Sequence, residues 1–189
     1  NIYLAAKIIG TETSRVMGCS VSGTDDFAGM TSELASKIAA VLEQQSGKLL
    51  PQAQNVKSVF DLLQSSVKGN QRKVFVSIKE DIAVSVPDPA AETELKKLLL
   101  LLGFNIVDLA DGADFVIRGE ALASQAGNYQ KFSSASARVE LSIFNGRKKL
   151  LATGVAKETL AGAAYAIAAK DAISQAALVL ASELFGELK

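Results

Sequence analysis

Residues 135–144, ASARVELSIF, alternate without a fault: Ala135, Ala137, Val139, Leu141 and Ile143 fall on one side, Ser136, Arg138, Glu140 and Ser142 on the other. Such period-two patterning predicts an antiparallel strand with one face buried and one wet. Asn145-Gly146 follows, a strong hairpin signal. After it come a partner strand in KKLLATGVAK (148–157) and the alanine-rich helix AGAAYAIAAKDAISQAALVLASELF (161–185). Small side chains let that helix lie close on the sheet it covers. The decisive unit is therefore strand, turn, strand, long helix.

The same order stands at the start of the chain. IYLAAKII (2–9) turns through Gly10 to Ser14 into RVMGCSVSG (15–23), and a helix follows in DDFAGMTSELASKIAAVLEQ (25–44). Thr24, Asp25 and Asp26 supply capping and acidic residues at its start. Phe27, Met30, Leu34, Ile38 and Val41 form one apolar stripe. Internal repetition constrains architecture before any single residue does. The first copy runs from Ile2 to about Gln45 and the second from about Ala135 to Leu184.

Between the copies, Ser46-Gly47 and Pro51 are expected to end the first helix, and a short helix is expected over 55–68, closed by Gly69-Asn70. KVFVSI (73–78) reads as a central strand. Asp88 can cap the next helix, Pro89 suits its first turn, Leu95, Leu98, Leu99 and Leu102 form its core stripe, and Gly103 supplies the stop. Strands follow at 104–107 and 114–120, separated by the Asp111-Gly112 turn. The fold class expected is α+β. A β-α-β-β-β-β-α sandwich over 73–189, with its helices on one face, is preceded by a linker with a short helix (46–72) and a partial hairpin-plus-helix module (1–45). That first module begins abruptly at Asn1, without methionine. It reads as the tail of a cut module in a trimmed or processed chain, whose exposed sheet edge invites weak self-association.

Composition narrows the chemistry. Of 189 residues, 49% are hydrophobic and 21% charged, which fits a globular protein rather than disorder. Lys+Arg and Asp+Glu are both 20, so the basic excess that nucleic acid requires is missing. There is no histidine, which removes Ser-His, Cys-His and His-zinc chemistries within this chain. The single cysteine, Cys19, leaves no intrachain disulfide framework. The most apolar stretch, 160–169, is about half the roughly 20 residues that span a bilayer, so no transmembrane segment is expected. Val16-Met17-Gly18-Cys19 loosely resembles a lipoprotein cleavage box, but Arg15 and Lys7 interrupt the apolar core such a signal needs. Cys19 reads as a small strand residue.

Candidate sites are few. Asp108, Asp111 and Asp114, spaced by three around a glycine, could gather oxygen ligands about a calcium ion, although Asp-Gly is also ordinary turn chemistry. Glu92 and Glu94 could form a catalytic carboxylate pair, but acids at a helix start are favoured by the helix dipole alone. Gly18 to Gly23 lacks the spacing of a nucleophile elbow. No cofactor is expected.

The hairpin carries a resemblance. IYLAAKIIGTETSRVMGCSVSG (2–23) resembles the strand-turn-strand of bacterial envelope proteins in the curli-assembly CsgG, flagellar FlgO and TolB N-terminal group, with the pattern L-x-x-D-x-x-T-G-x-V. Gly10 stands where the aspartate is usual, Thr13 matches the threonine, Ser14 replaces the glycine and Val16 matches the valine. VPDPAAETEL (86–95), LLGFNIVD (101–108) and ADFVIRGEA (113–121) look like a companion module. The resemblance implies a non-enzymatic module of the periplasm or the inner face of the outer membrane. It would act by contact with other envelope proteins in assembly, secretion or transport of a surface structure. The membrane-spanning hairpin of a curli-type pore is missing. The alternatives are a small-molecule or ion sensor centred on Asp108, Asp111 and Asp114, an enzyme using carboxylates alone, and a cytoplasmic location.

Overall fold

A computed structural model describes residues 1–10, 15–24, 26–49, 54–82, 88–129 and 132–189, in two compact units, 1–52 and 53–189. The turn residues 11–14 with Thr13 and Ser14, the capping candidate Asp25, Pro51, and Val86-Pro87 of the companion motif lie outside the described residues.

In the first unit, β1 (Ile2–Ile9) and β2 (Val16–Gly23) pair antiparallel from Ile2↔Gly23 to Ile9↔Val16. Alternation turns Leu4, Ala6 and Ile8, with Met17, Cys19 and Val21, to the better-covered side, where α1 (Phe27–Leu49) packs. Asp26 begins that helix: its Oδ1 accepts the Gly29 N–H at 2.8 Å and its carbonyl accepts the Met30 N–H. The expected break at Ser46-Gly47 does not occur, and α1 continues to Leu49. A single helical glycine costs about 1 kcal/mol relative to alanine, too little to end a helix already propagating. Among the described residues, Val21 and Met30 are the buried apolar side chains of this unit.

The second unit is α2 (Val56–Leu63), β3 (Lys73–Ile82), α3 (Ala90–Leu101), β4 (Asn105–Val107), β5 (Phe115–Tyr129), β6 (Phe132–Asn145), β7 (Leu150–Gly162) and α4 (Tyr165–Leu184), closed by a 3-10 turn at Phe185–Glu187. From β3 onward this is the expected β-α-β-β-β-β-α order, an α+β fold. The sheet runs β4-β3-β5-β6-β7, with β3 parallel to β4 and β5 and the remaining pairs antiparallel. Val74, Val76 and Ile78 of β3, Ile117, Ala121 and Ala123 of β5 and the alternating set Ala135 to Ile143 of β6 point to one side. There they meet Leu95, Leu98 and Leu99 of α3 and the alanines of α4 in a single core.

Three expectations are corrected here. The stretch 46–72 is not a linker throughout. Asn55 closes a capping box with Ser58, and Val59, Leu63 and Val67 enter the core of the second unit. The helix stops at Leu63, short of the expected 68, and Asn70 and Gln71 take left-handed backbone at φ 48° and 62°. Gly69 is required for a different reason from the one expected. Its N–H donates to Leu102 O at 2.8 Å, and a Cβ at 69 would run into the backbone of Gly103 and Phe104. The hairpin expected at Asn145-Gly146 forms, joining β6 and β7. The Lys148 N–H donates to Asn145 O and Lys148 itself is left-handed (φ 63°), a type I turn with a bulge. Asn145 Oδ1 holds this loop by accepting the Arg147 and Lys149 N–H groups, both at 3.0 Å.

Candidate functional site

The sheet face away from the helices is open, and strand register arranges it in cross-strand rows. Phe75, Val116, Phe144 and Leu150 make an apolar row at one end; Ser77, Arg118, Ser142 and Thr153 follow; next come Lys79, Glu120, Glu140 and Val155; last are Asp81, Leu122, Arg138 and Lys157. Leu122 and Val155 are 53% and 48% exposed, so apolar surface is interleaved with charge. Arg138 grips Glu140 through Nε at 2.8 Å and a second guanidinium nitrogen at 2.6 Å, two residues along the same strand. Ser142 and Thr153 hydroxyls lie 3.0 Å apart across β6 and β7. A shallow recess of about 270 Å³ lies among Lys79, Asp81, Glu120, Leu122 and Arg138. Another of about 390 Å³ sits at the end of the face, against Asp111, Val116, Arg118, Phe144 and Lys148.

The three aspartates do not converge. Asp114 Oδ2 accepts the Lys73 N–H at 2.8 Å while its own N–H donates to Lys73 O at 2.9 Å, so its carboxylate aligns the starts of β3 and β5. Asp108 is exposed beyond β4, and Asp111 lines the larger recess. Among the described residues no cluster of three acidic, cysteine or histidine side chains could hold a metal ion. Glu92 and Glu94 likewise have local tasks. Glu92 accepts the Ile78 N–H at 3.0 Å and pairs with Lys96 at 2.7 Å; Glu94 pairs with Lys97 at 2.7 Å. Cys19 is half-buried on β2, opposite Ala6.

Several of the most committed polar residues were not singled out from the sequence. Asp88 does not cap α3. The N-cap position is Pro89, and the cap comes from β3, where Glu80 accepts the Ala90 and Ala91 N–H groups at 2.9 and 2.7 Å. A carboxylate there also complements the positive end of the helix dipole. Arg72 donates to Gly69 O, Lys68 O and Leu188 O, and its guanidinium lies 5.7 Å and 5.1 Å from the ring centres of Phe104 and Phe115. It thereby ties the entry of β3 to the chain's end. Tyr165 donates its hydroxyl to Ala123 O at 2.9 Å, pinning α4 to β5. Partial burial raises the Asp171 carboxyl on α4 above the ordinary aspartate value of 3.8.

No family model matches the chain. No curated protein matches it either. Among solved structures, it is similar to a DUF330-family protein from Xanthomonas campestris, at 10% identity and a TM-score of 0.40, covering 64% of this chain and 83% of that one. The PelC dodecamer from Paraburkholderia phytofirmans is similar at 13% identity and a TM-score of 0.40, over 65% and 90%. A minor lipoprotein from Acinetobacter baumannii is similar at 13% identity and a TM-score of 0.38, over 60% and 90%. Among the described residues no helix is long and apolar enough to cross a membrane.

Proposed function

We propose that this chain is a non-enzymatic module of the bacterial envelope that acts by protein–protein contact, and that the open face of the five-stranded sheet is its contact surface. The observation that carries this reading is the interleaving of Leu122 and Val155 with Lys79, Glu120, Arg138 and Lys157 across adjoining strands. A shallow face with apolar and charged side chains in register suits a protein partner, whose interface is about as apolar as ordinary surface and is oriented by charge. Glu92 and Glu94, weighed for catalysis, are engaged with a backbone N–H group and with lysines, and Asp114, weighed for calcium, with a backbone N–H group. The envelope assignment rests on the resemblance of residues 2–23, 86–95, 101–108 and 113–121 to envelope modules.

Fractionation of cells producing the full-length protein tests the location: recovery with the envelope is expected, and recovery solely in the cytosol overturns it. For the surface, Leu122→Asp combined with Val155→Asp is expected to abolish in-cell cross-links formed by the wild type without lowering its melting temperature. Unchanged cross-links would contradict the assignment. The larger recess favours a second reading, a small-molecule or ion sensor. Under it, calcium would raise the melting temperature in titration, because a ligand bound by the folded state alone stabilises that state, and Asp111→Asn would abolish the rise.

A further inference from the structure

We infer that β1 is a self-pairing edge. Two copies of the chain join through antiparallel β1–β1 contact into a four-stranded sheet of order β2-β1-β1-β2, with both α1 helices on one face. This deepens the protein-contact reading by naming a partner, a second copy, at a surface separate from the open sheet face.

Backbone parity shows which groups are available. The Gly10 N–H donates to Arg15 O at 2.9 Å, and these residues continue the register that places Ile9 opposite Val16. Hydrogen-bonded pairs in an antiparallel ladder alternate with non-bonded ones, so even-numbered residues of β1 address β2. The N–H and C=O groups of Tyr3, Ala5, Lys7 and Ile9 therefore point outward, and no other strand among the described residues takes them up. Neither proline nor a bulge blunts this edge. The opposite edge is different. By the same parity the Ser20 carbonyl points outward from β2, and Lys37 of α1 reaches across to donate to it at 3.1 Å. A lysine laid along an edge is a barrier to strand addition. One edge is guarded and the other is open.

The side chains select a second copy. Placing Ala5 opposite its own counterpart sets Ile2 against Ile8, Leu4 against Ala6 and Tyr3 against Lys7. The apolar pairs extend the face beneath the α1 helices. On the other face the one charged side chain of β1 meets an aromatic ring instead of its own copy, an arrangement that gains a cation–π contact and avoids like-charge opposition. Tyr3, Ala5 and Lys7 are among the residues whose backbone groups face outward, so parity and side-chain chemistry agree on the register. Tyr3 is 68% exposed in the single chain and free to make this contact. A two-fold pairing closes on itself and yields a dimer rather than a fibre.

Sedimentation of the purified full chain over a concentration series tests this. The wild type is expected to show a reversible monomer–dimer equilibrium. Ala5→Pro deletes an outward N–H that the β1–β2 ladder does not use and is expected to leave a monomer with an unchanged circular dichroism spectrum. Tyr3→Lys sets lysine against Lys7 in both symmetric pairs and should weaken the dimer about tenfold, from the few tenths to one kcal/mol that each cross-strand pair contributes. Adding Lys7→Glu to Tyr3→Lys should restore it. A wild type that stays monomeric, a dimer indifferent to Tyr3→Lys, or assemblies that grow past the dimer would each overturn the inference. Leu122→Asp leaves this equilibrium untouched, so failure here is separable from failure of the sheet-face reading.

Discussion

The two hairpin–helix copies share an order of elements and end in opposite states. In β6–β7–α4, the inward residues of β6, from Ala135 to Ile143, are 0–1% exposed, because β5 covers the other edge and α3 stands beside α4. In β1–β2–α1 the residues on the helix side, Leu4, Ala6, Ile8, Met17 and Cys19, are covered only in part and Val21 alone of these strand residues is buried, because two strands and one helix make no enclosed layer. Burial is thus a property of the neighbours a strand acquires. Alternation marks which side of a strand is to be buried, and only adjoining strands and helices determine whether it is.

The sharpest way to break that comparison is to delete matching side chains. Leu141→Ala empties a site enclosed on all sides and should lower the unfolding free energy of the second unit by about 2–5 kcal/mol. Ile8→Ala, at a half-covered position of β1, should cost under about 1.5 kcal/mol, and urea unfolding of the full chain measures both. Equal losses would mean that the first copy is as well packed as the second. A smaller effect is expected at the α3 cap. Glu80→Ala strands the Ala90 and Ala91 N–H groups and should cost about 1–2 kcal/mol, lowering the urea midpoint of the second unit and leaving the first unchanged.

Much of this architecture was legible in the chain. The run 135–144 announced a strand with one buried face, Gly103 a helix stop, and 55–68 a short helix, which forms over Val56–Leu63. What could not be read were contacts made across long sequence separations. Glu80 sits in a strand and caps a helix ten residues away, while Asp88, beside that helix, does not. Residues 121–129, ALASQAGNY, lack the β-branched character of a strand and become one because β6 pairs with them as far as Tyr129↔Phe132. The aspartate trio suggested convergence from spacing alone, yet Asp114 is engaged by Lys73, a residue 41 positions earlier. Short-range spacing reports local chemistry; convergence belongs to topology.

The smallest expected effect is at Asp171 on α4. Its pKa is raised in the folded state by partial burial, so the folded protein holds this proton more tightly than the unfolded chain. The group's ionisation therefore opposes folding as pH rises through and above the usual carboxylate range, and the penalty vanishes below about 3.8. Asp171→Asn should stabilise the second unit slightly at neutral pH, by no more than about 0.5 kcal/mol at this partly exposed site. The gain should fade on acidification, as thermal melts across a pH series would show.

Native-state hydrogen exchange of the full chain, resolved by residue and run at two protein concentrations, compares the copies most directly. The account predicts that Val139, Leu141 and Ile143 of β6 and Ala172 to Ala181 of α4 exchange only through global opening of their unit. The outward amides of Tyr3, Ala5, Lys7 and Ile9 should exchange fast at low concentration and slow as concentration rises. Protection of those four amides equal to that of β6, independent of concentration, would contradict it.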